Sequence, residues 1–422
     1  MTLIRAAVAA ATILSASSAG ANDLSVDGRA AVAVDAKGLA QAYLLVVPEW
    51  EAALSDSVWA EMSVRLEAAG GDTGIGDVSG FSPLSEPVPH DGADVRAEID
   101  RLILRIEGER LSLDLGKQVL AWGSLDGIRI TDQFNPVRLT EGLARAPRPD
   151  RIPIWAARLR ARMGPVMLDL AASPDPTVNQ LAQPGDRFFP KAPRFRGGFG
   201  PDIQLPELTR EDRDRLVADG VLGARLSIEA GRTDLRFSAL SGPEQQGVLR
   251  PSREGGVVLE HDRRTLFGAE FVRPAGDLIL RAEVAFSPDL PVNLEGPALL
   301  DDEDRSQVLA GIGADFFGPS ETFVNVQLLL DHIPEGERLI RPQTDAVATV
   351  SAKKRWADER WGVSAEWLQS LSQGDGLTRA ELSRRVNDTF DLTFGADVFH
   401  GTEDGIFGQF REESRILIGV RF

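Results

Sequence analysis

The feature that most constrains the fold is a two-residue alternation of apolar and polar side chains that recurs along the whole chain. In 58–68, Val58, Ala60, Met62, Val64, Leu66 and Ala68 share one face, and Trp59, Glu61, Ser63, Arg65 and Glu67 the other. The pattern returns in 277–286, 322–332 and 389–398, with further copies at 98–107, 111–118, 154–163, 221–229 and 361–368. A period of two places successive side chains on opposite faces of an extended backbone, so each run predicts a two-faced β-strand. Helical periodicity is nearly absent.

Many of these runs are joined by Glu107-Gly108, Ala230-Gly231, Pro274-Ala275-Gly276, Gly318-Pro319-Ser320 or Asn387-Asp388. Such residues supply tight or left-handed turns, and strands joined this way are antiparallel. Other connections are long: 69–94, 119–153, 173–219, 288–304 and 401–410. Short turns at one end and long loops at the other predict an all-β, antiparallel transmembrane barrel of about 16–18 strands. A strict up-and-down count clashes around 241–256, where a strand is missed or wrongly added. A soluble sandwich also alternates, but it must hide its apolar faces in one core and leaves strand edges open. Here the polar faces carry Arg101, Arg105, Arg158, Arg160, Arg162, Arg225, Arg236 and Arg281 among Glu61, Glu229, Glu270, Glu283 and Glu366. A charged lumen and a lipid-facing exterior account for both faces.

The first 21 residues read as an export signal: Arg5, an apolar core at 6–14, and a small-residue exit at Ala19-Gly20-Ala21. The apolar run falls short of the roughly 18–20 residues of a spanning helix. The expected organisation is therefore a cleaved signal at 1–21 and a single barrel domain at 22–422, with a long loop insertion at 173–219. The chain has no cysteine, which excludes disulfides, thiol nucleophiles and thiolate metal sites. Its formal charge of -18 (46 Lys+Arg against 64 Asp+Glu) argues against a nucleic-acid binder. A single tyrosine leaves 19 Phe and 7 Trp to form any interface girdle, and Trp356 and Trp361 flank the Ala357-Asp358 turn where such a belt belongs.

In the last strand, Ile416, Ile418, Val420 and Phe422 share a face. A final strand ending in an aromatic residue resembles the assembly signal of Gram-negative outer-membrane barrels, carried here by Ile418, Val420 and Phe422. Segment 115–139 (LGKQVLAWGSLDGIRITDQFNPVRL) resembles the G-[KR]-Q-x-x-x-W-G…D…N-P block of uncharacterised porin-like outer-membrane proteins, through Gly116, Gln118, Trp122, Gly123, Asp126, Asp132, Asn135 and Pro136. Segment 405–422 resembles their last hairpin. Alginate-export barrels are a more distant comparison. The resemblance implies a strand leading into a long loop and carries no solute with it.

Gln118, Asp132 and Asn135 either hydrogen-bond a loop folded into the lumen, with Trp122 as its apolar anchor and a narrowed pore as the result, or merely hold the loop together. Arg158, Arg160 and Arg162 point to one side of one strand. They form either an anion-guiding ladder or a wall paired with carboxylates on neighbouring strands. The selectivity candidates are Arg101, Arg105, Arg158, Arg160, Arg162, Arg225, Arg281, Glu61 and Glu283. The 173–219 insertion, with Phe188-Phe189 and Phe195 to Phe199, reads as a constriction, a lid or an external loop, with a short helix at 210–218 capped by Thr209 and Asp212. Asp301-Asp302-Glu303-Asp304 lacks calcium-loop spacing and reads as a solvated acidic loop. His90, His261, His332 and His400 are scattered, and no hydrolase elbow, phosphate loop or zinc motif is present.

The leading expectation is a diffusion channel for polar solutes, with no catalytic residues, metal or cofactor. Its expected partners are outer-membrane lipid, the barrel-assembly machinery and small polar solutes, in a Gram-negative outer membrane. The alternatives are a non-conducting partner of a periplasmic export system and a lipid-modifying hydrolase, for which His400 beside Glu403, or His332 beside Ser/Asp neighbours, is the available material.

Overall fold

The structure, a computed structural model, describes residues 22–70, 80–89, 95–127, 129–140, 150–200, 207–211, 214–295, 300–319 and 322–422. The export signal, His90 and Asp212 lie outside the described residues. Eighteen antiparallel strands form the wall: β1 (Asn22–Asp35), β2 (Gly38–Ser55), β3 (Val58–Gly70), β4 (Val95–Glu107), β5 (Leu111–Gln118), β6 (Ile154–Met163), β7 (Val166–Ser173), β8 (Val221–Ala230), β9 (Thr233–Pro243), β10 (Arg263–Ala275), β11 (Leu278–Leu294), β12 (Asp301–Gly318), β13 (Thr322–His332), β14 (Thr344–Trp356), β15 (Trp361–Ser370), β16 (Gly376–Arg385), β17 (Asp391–His400) and β18 (Arg415–Arg421). Each pairs with its sequence neighbours, and β1 closes the ring on β18 from Arg29↔Arg421 to Val34↔Ile416. The Phe422 and Gly28 backbones exchange hydrogen bonds of 2.7 and 2.9 Å beyond that register. Closure removes both sheet edges.

Eight connections of two to five residues lie at one end together with both chain termini; the long connections lie at the other. The two ends are called the turn end and the loop end below. The outer face is apolar and exposed: Phe237 is 47%, Ile312 60%, Phe394 53% and Ile418 59% accessible. A ring of this kind is far larger than the apolar patches of water-soluble proteins. Aromatic pairs cluster at the turn end. Trp356 and Trp361 stack at 6.5 Å, Phe317 lies 5.2 Å from Phe323, and Phe390 lies 6.2 Å from Phe422. Among the described residues no helix is long and apolar enough to cross a membrane.

Three expectations are corrected. The span 288–304 is mostly strand: β11 runs to Leu294 and β12 begins at Asp301, with a bulge between Ser287 and Leu290. From Ser287 to Asn293, before Leu294 bridges Leu339, β11 pairs only with β12 among the described residues, so Pro291 sits where a missing N–H costs no second ladder. Among the described residues of 210–218 the expected helix does not form. Leu208–Arg210 is a short strand parallel to Val257, Val258 and Leu259, followed by a turn at 216–219. The parity clash around 241–256 resolves as a loop, 244–262, whose hairpin of Val248–Pro251 and Val257–Glu260 stands outside the barrel wall.

Candidate functional site

Alternation turns the charged face of each strand inward, and the antiparallel register sets opposite charges beside one another. Arg101 on β4 lies 2.6 Å from Glu61 on β3 and 3.2 Å from Glu49 on β2. Asp114 on β5 accepts from Arg105 at 2.9 Å and Arg160 at 3.0 Å. Asp169 on β7 sits between Arg158 at 2.6 Å and Arg225 at 3.3 Å. Arg236 pairs with Glu270 at 3.2 Å, and Arg281 with Asp315 at 2.6 Å. Arg162 shares the inward face of β6 but none of these pairs. Ion pairs beside water contribute only about 0–1 kcal/mol each, so their main effect is to hold charges at fixed positions on the wall.

Gly116 stands two residues before the chain leaves this wall at Gln118. Its φ is +127°, and a Cβ there would stand 1.9 Å from the Leu102 carbonyl oxygen, so only glycine fits. Gln118 then donates to the Ala156 carbonyl at 2.9 Å. Asn135 ties the two sides of the loop base: its Oδ1 accepts from Leu120 N–H at 2.7 Å, and its Nδ2 donates to the carbonyls of Gln118 (3.1 Å) and Ile152 (2.9 Å). Asp132 accepts from Trp122 N–H at 3.0 Å and from Arg151. The sequence candidates Gln118, Trp122, Asp132 and Asn135 thus meet at one loop base.

The tip of this loop reaches strands on another part of the wall. Glu283 on β11, 5% exposed, accepts from the backbone N–H groups of Ser124, Leu125 (2.6 Å) and Thr131 (3.1 Å) and from the Ser124 and Thr131 hydroxyls. Asp126 N–H donates to Gln327 on β13 at 3.0 Å. Leu125 and Ile130 pack on Leu266, Ala285, Leu309 and Leu329. Nearer the base, Trp122 lies 5.7 Å from Phe134 and under the Arg225 guanidinium at 5.3 Å. Burial pushes Arg129 below its ordinary value, opposed by Asp132. The segment 119–136 therefore runs inside the barrel from β5 to β11–β13.

The wall makes room for it with glycines. A Cβ at Gly223 would lie 2.7 Å from Trp122, at Gly268 2.8 Å from Thr131, at Gly311 2.6 Å from both Ile130 and Leu125, and at Gly313 2.8 Å from Leu125. This track on β8, β10 and β12 was not picked out from the sequence. Its signal is glycine in mid-strand, which marks a close approach.

A second segment crosses at the loop end. From β7 the chain carries Phe188 to β15–β18, where it meets Leu368, Leu377, Phe399, Phe407 and Phe410. Phe188 lies 5.5 Å from Phe410 and 6.3 Å from Phe399. Arg187 pairs with Asp35 and Glu413, and Arg194 with Asp345 at 2.5 Å. The Lys191 and Ala192 N–H groups donate to Gln409 at 2.8 and 3.0 Å. Phe199 and Leu208 return to Leu249, Val257, Leu259 and Leu300.

The other candidates are spent on structure. Asp301 and Asp302 pair with Arg338 and Arg250. Among the described residues no cluster of His, Asp or Glu is arranged to hold a metal ion. His261 contacts the Glu244 carbonyl, His332 contacts Thr344, and His400 contacts Gln369 at 3.0 Å; Glu403 pairs instead with Arg411.

No protein-family model matches the chain, and no curated protein matches it in sequence. Its fold is similar to that of solved barrels. Acinetobacter baumannii OccAB4 shares 8% identity over 95% of this chain and 97% of that one, with a TM-score of 0.52. Pseudomonas aeruginosa OccK2 (OpdF), solved in complex with glucuronate, shares 10% identity over 95% and 97%, with a TM-score of 0.50. The outer membrane protein OpdK of Pseudomonas aeruginosa, solved with vanillate, shares 10% over 95% and 98%, with a TM-score of 0.50. At such identities the likeness is one of fold.

Proposed function

We propose that the chain is an outer-membrane channel through which small polar solutes diffuse, with the segment 119–136 setting the size limit. The observation that carries this reading is the attachment of that segment to Glu283 and Gln327, on the far side of a closed, charge-lined barrel. Its support is the apolar exterior, which suits lipid, and a polar interior, which suits water. The fold likeness to OpdK, an outer membrane protein, agrees with that location. Arg101, Arg105, Arg158, Arg160, Arg162, Arg225 and Arg281, with Glu61 and Glu283, set the charge of the path. Phe422, Val420 and Ile418 present the terminal strand for assembly.

The test is liposome swelling with uncharged sugars of increasing size. A channel gives swelling rates that fall steeply with solute size, and loosening the inward segment raises the cut-off. The second crossing segment, clamped by Phe188 and Phe410, is the observation that favours the alternative of a closed, non-conducting barrel. A folded barrel that admits no sugar would establish that alternative and refute the channel.

A further inference from the structure

Beneath the inward segment, toward the turn end, the lumen wall holds a pocket of about 310 Å³ roofed by Ala121 and Gly123. Its lining includes Met167, Arg225, Ser227, Glu229, Asp234 and Arg236. Arg225 is 8% exposed. It spends Nη2 on Asp169 at 3.3 Å, while its Nε has no hydrogen-bond partner. Ser227 Oγ, two residues along the same strand, is likewise unpartnered, and so is Glu270 Oε1 behind Arg236. Two residues that line the pocket, Arg225 and Ser227, thus carry unspent polar atoms, and Glu270 carries one on the neighbouring strand. A buried polar group left without a partner is costly, and a suitable ligand recovers that cost.

Charge decides what ligand suits. Register sets Ser227 opposite Arg236, and Glu229 opposite Asp234, one step nearer the turn end. Arg225 and Ser227 therefore form a donor-rich upper rim, and Glu229 and Asp234, the latter 3.6 Å from Arg236, an acidic lower rim; along the strand Glu229 lies roughly 7 Å from Ser227 and roughly 13 Å from Arg225. Around the pocket Asp169, Glu229, Asp234 and Glu270 face Arg158, Arg225 and Arg236, with Arg162 opposite Met167, four carboxylates against four guanidiniums. A lone anion is attracted at the upper rim and repelled at the lower, and a lone cation the reverse. A molecule with both charges satisfies both rims.

We propose that this pocket binds small zwitterions, with the carboxylate against Arg225 and Ser227 and the ammonium against Glu229 and Asp234. The inference rests on the reading of this lumen as a solute path and names the solute class. Saturation-transfer NMR on the folded, detergent-solubilised barrel tests it, using β-alanine, propionate and propylammonium as probes of similar size. β-Alanine binds about tenfold more tightly than either singly charged probe, a difference of about 1.4 kcal/mol. That preference is lost in S227A/R225Q and, independently, in E229Q/D234N. The second variant leaves the Asp169–Arg225 pair intact and so guards against misfolding in the first. Propionate binding as well as β-alanine, unaffected by E229Q/D234N, overturns the proposal in favour of a simple anion site. Equal, weak binding of all three probes overturns it outright. A barrel that conducts ions without preferring β-alanine refutes only this inference; one that prefers β-alanine without conducting refutes only the channel.

Discussion

The two segments that enter the lumen are fixed by different chemistry. Residues 119–136 are held at the tip by one buried carboxylate, Glu283, that gathers three backbone N–H groups and two hydroxyls. Residues 182–199 are held by an aromatic knot around Phe188, with ion pairs from Arg187 and Arg194 at its margins. Hydrogen bonds to a fixed acceptor are directional and set where a backbone lies, whereas aromatic packing is adaptable in register and scales with buried area. The first arrangement suits a constriction whose width must be constant. The second suits a segment that closes the loop end as a body.

Substitutions at each anchor sharpen this contrast. The largest effect is expected from E283A. Hydrogen bonds to a charged acceptor contribute about 1.5–3 kcal/mol each, and even with strong non-additivity their joint loss is about 5 kcal/mol. The tip is released, the sugar cut-off rises in liposome swelling, and E283Q lies between the two. Next comes F188A, which removes a ring worth about 3 kcal/mol. It exposes 182–199 to limited proteolysis while leaving the cut-off close to that of the parent. Smallest is G311V, which forces Leu125 and Ile130 off the wall at about 1–3 kcal/mol. It raises single-channel current noise more than mean conductance. A cut-off that shifts with F188A and not with E283A would reverse the roles assigned to the two segments.

The wall was legible because a strand of period two states both of its faces in the sequence, and Leu278 to Phe286 or Phe390 to Val398 carry no competing signal. The loop base was legible too. Gln118, Asp132 and Asn135 are polar groups that must find partners once buried, and Trp122 must find a pocket. The opposite anchor was less so. Glu283 looked like any lumen carboxylate, because which loop reaches it is a long-range fact. The glycine track was silent for the same reason. A glycine in a strand shows that something comes close and not what. Residues 248–251 and 257–260 alternate like wall strands, yet they pair with each other and, through 257–259, with 208–210, a contact local pattern cannot foresee. In 288–304 the acidic run at 301–304 argued for a loop. The strand survives because from Ser287 to Asn293 its far side has no paired neighbour to satisfy. At Thr209 a capping pattern lost to pairing with Val258, since short-range propensity yields to tertiary contact.

The central claim, that 119–136 spans the lumen, is tested most directly by a cross-link between its tip and the far wall. The chain has no cysteine of its own, so D126C with Q327C gives a single defined pair. Asp126 N–H donates to the Gln327 side chain at 3.0 Å, which brings the two positions together. In the folded barrel a short bis-thiol reagent is predicted to join them in high yield, shifting mobility on denaturing gels, and to leave heat-modifiable folding intact. Two cysteines that each react fully with a monofunctional thiol reagent yet do not cross-link would place the segment away from β13 and contradict the account.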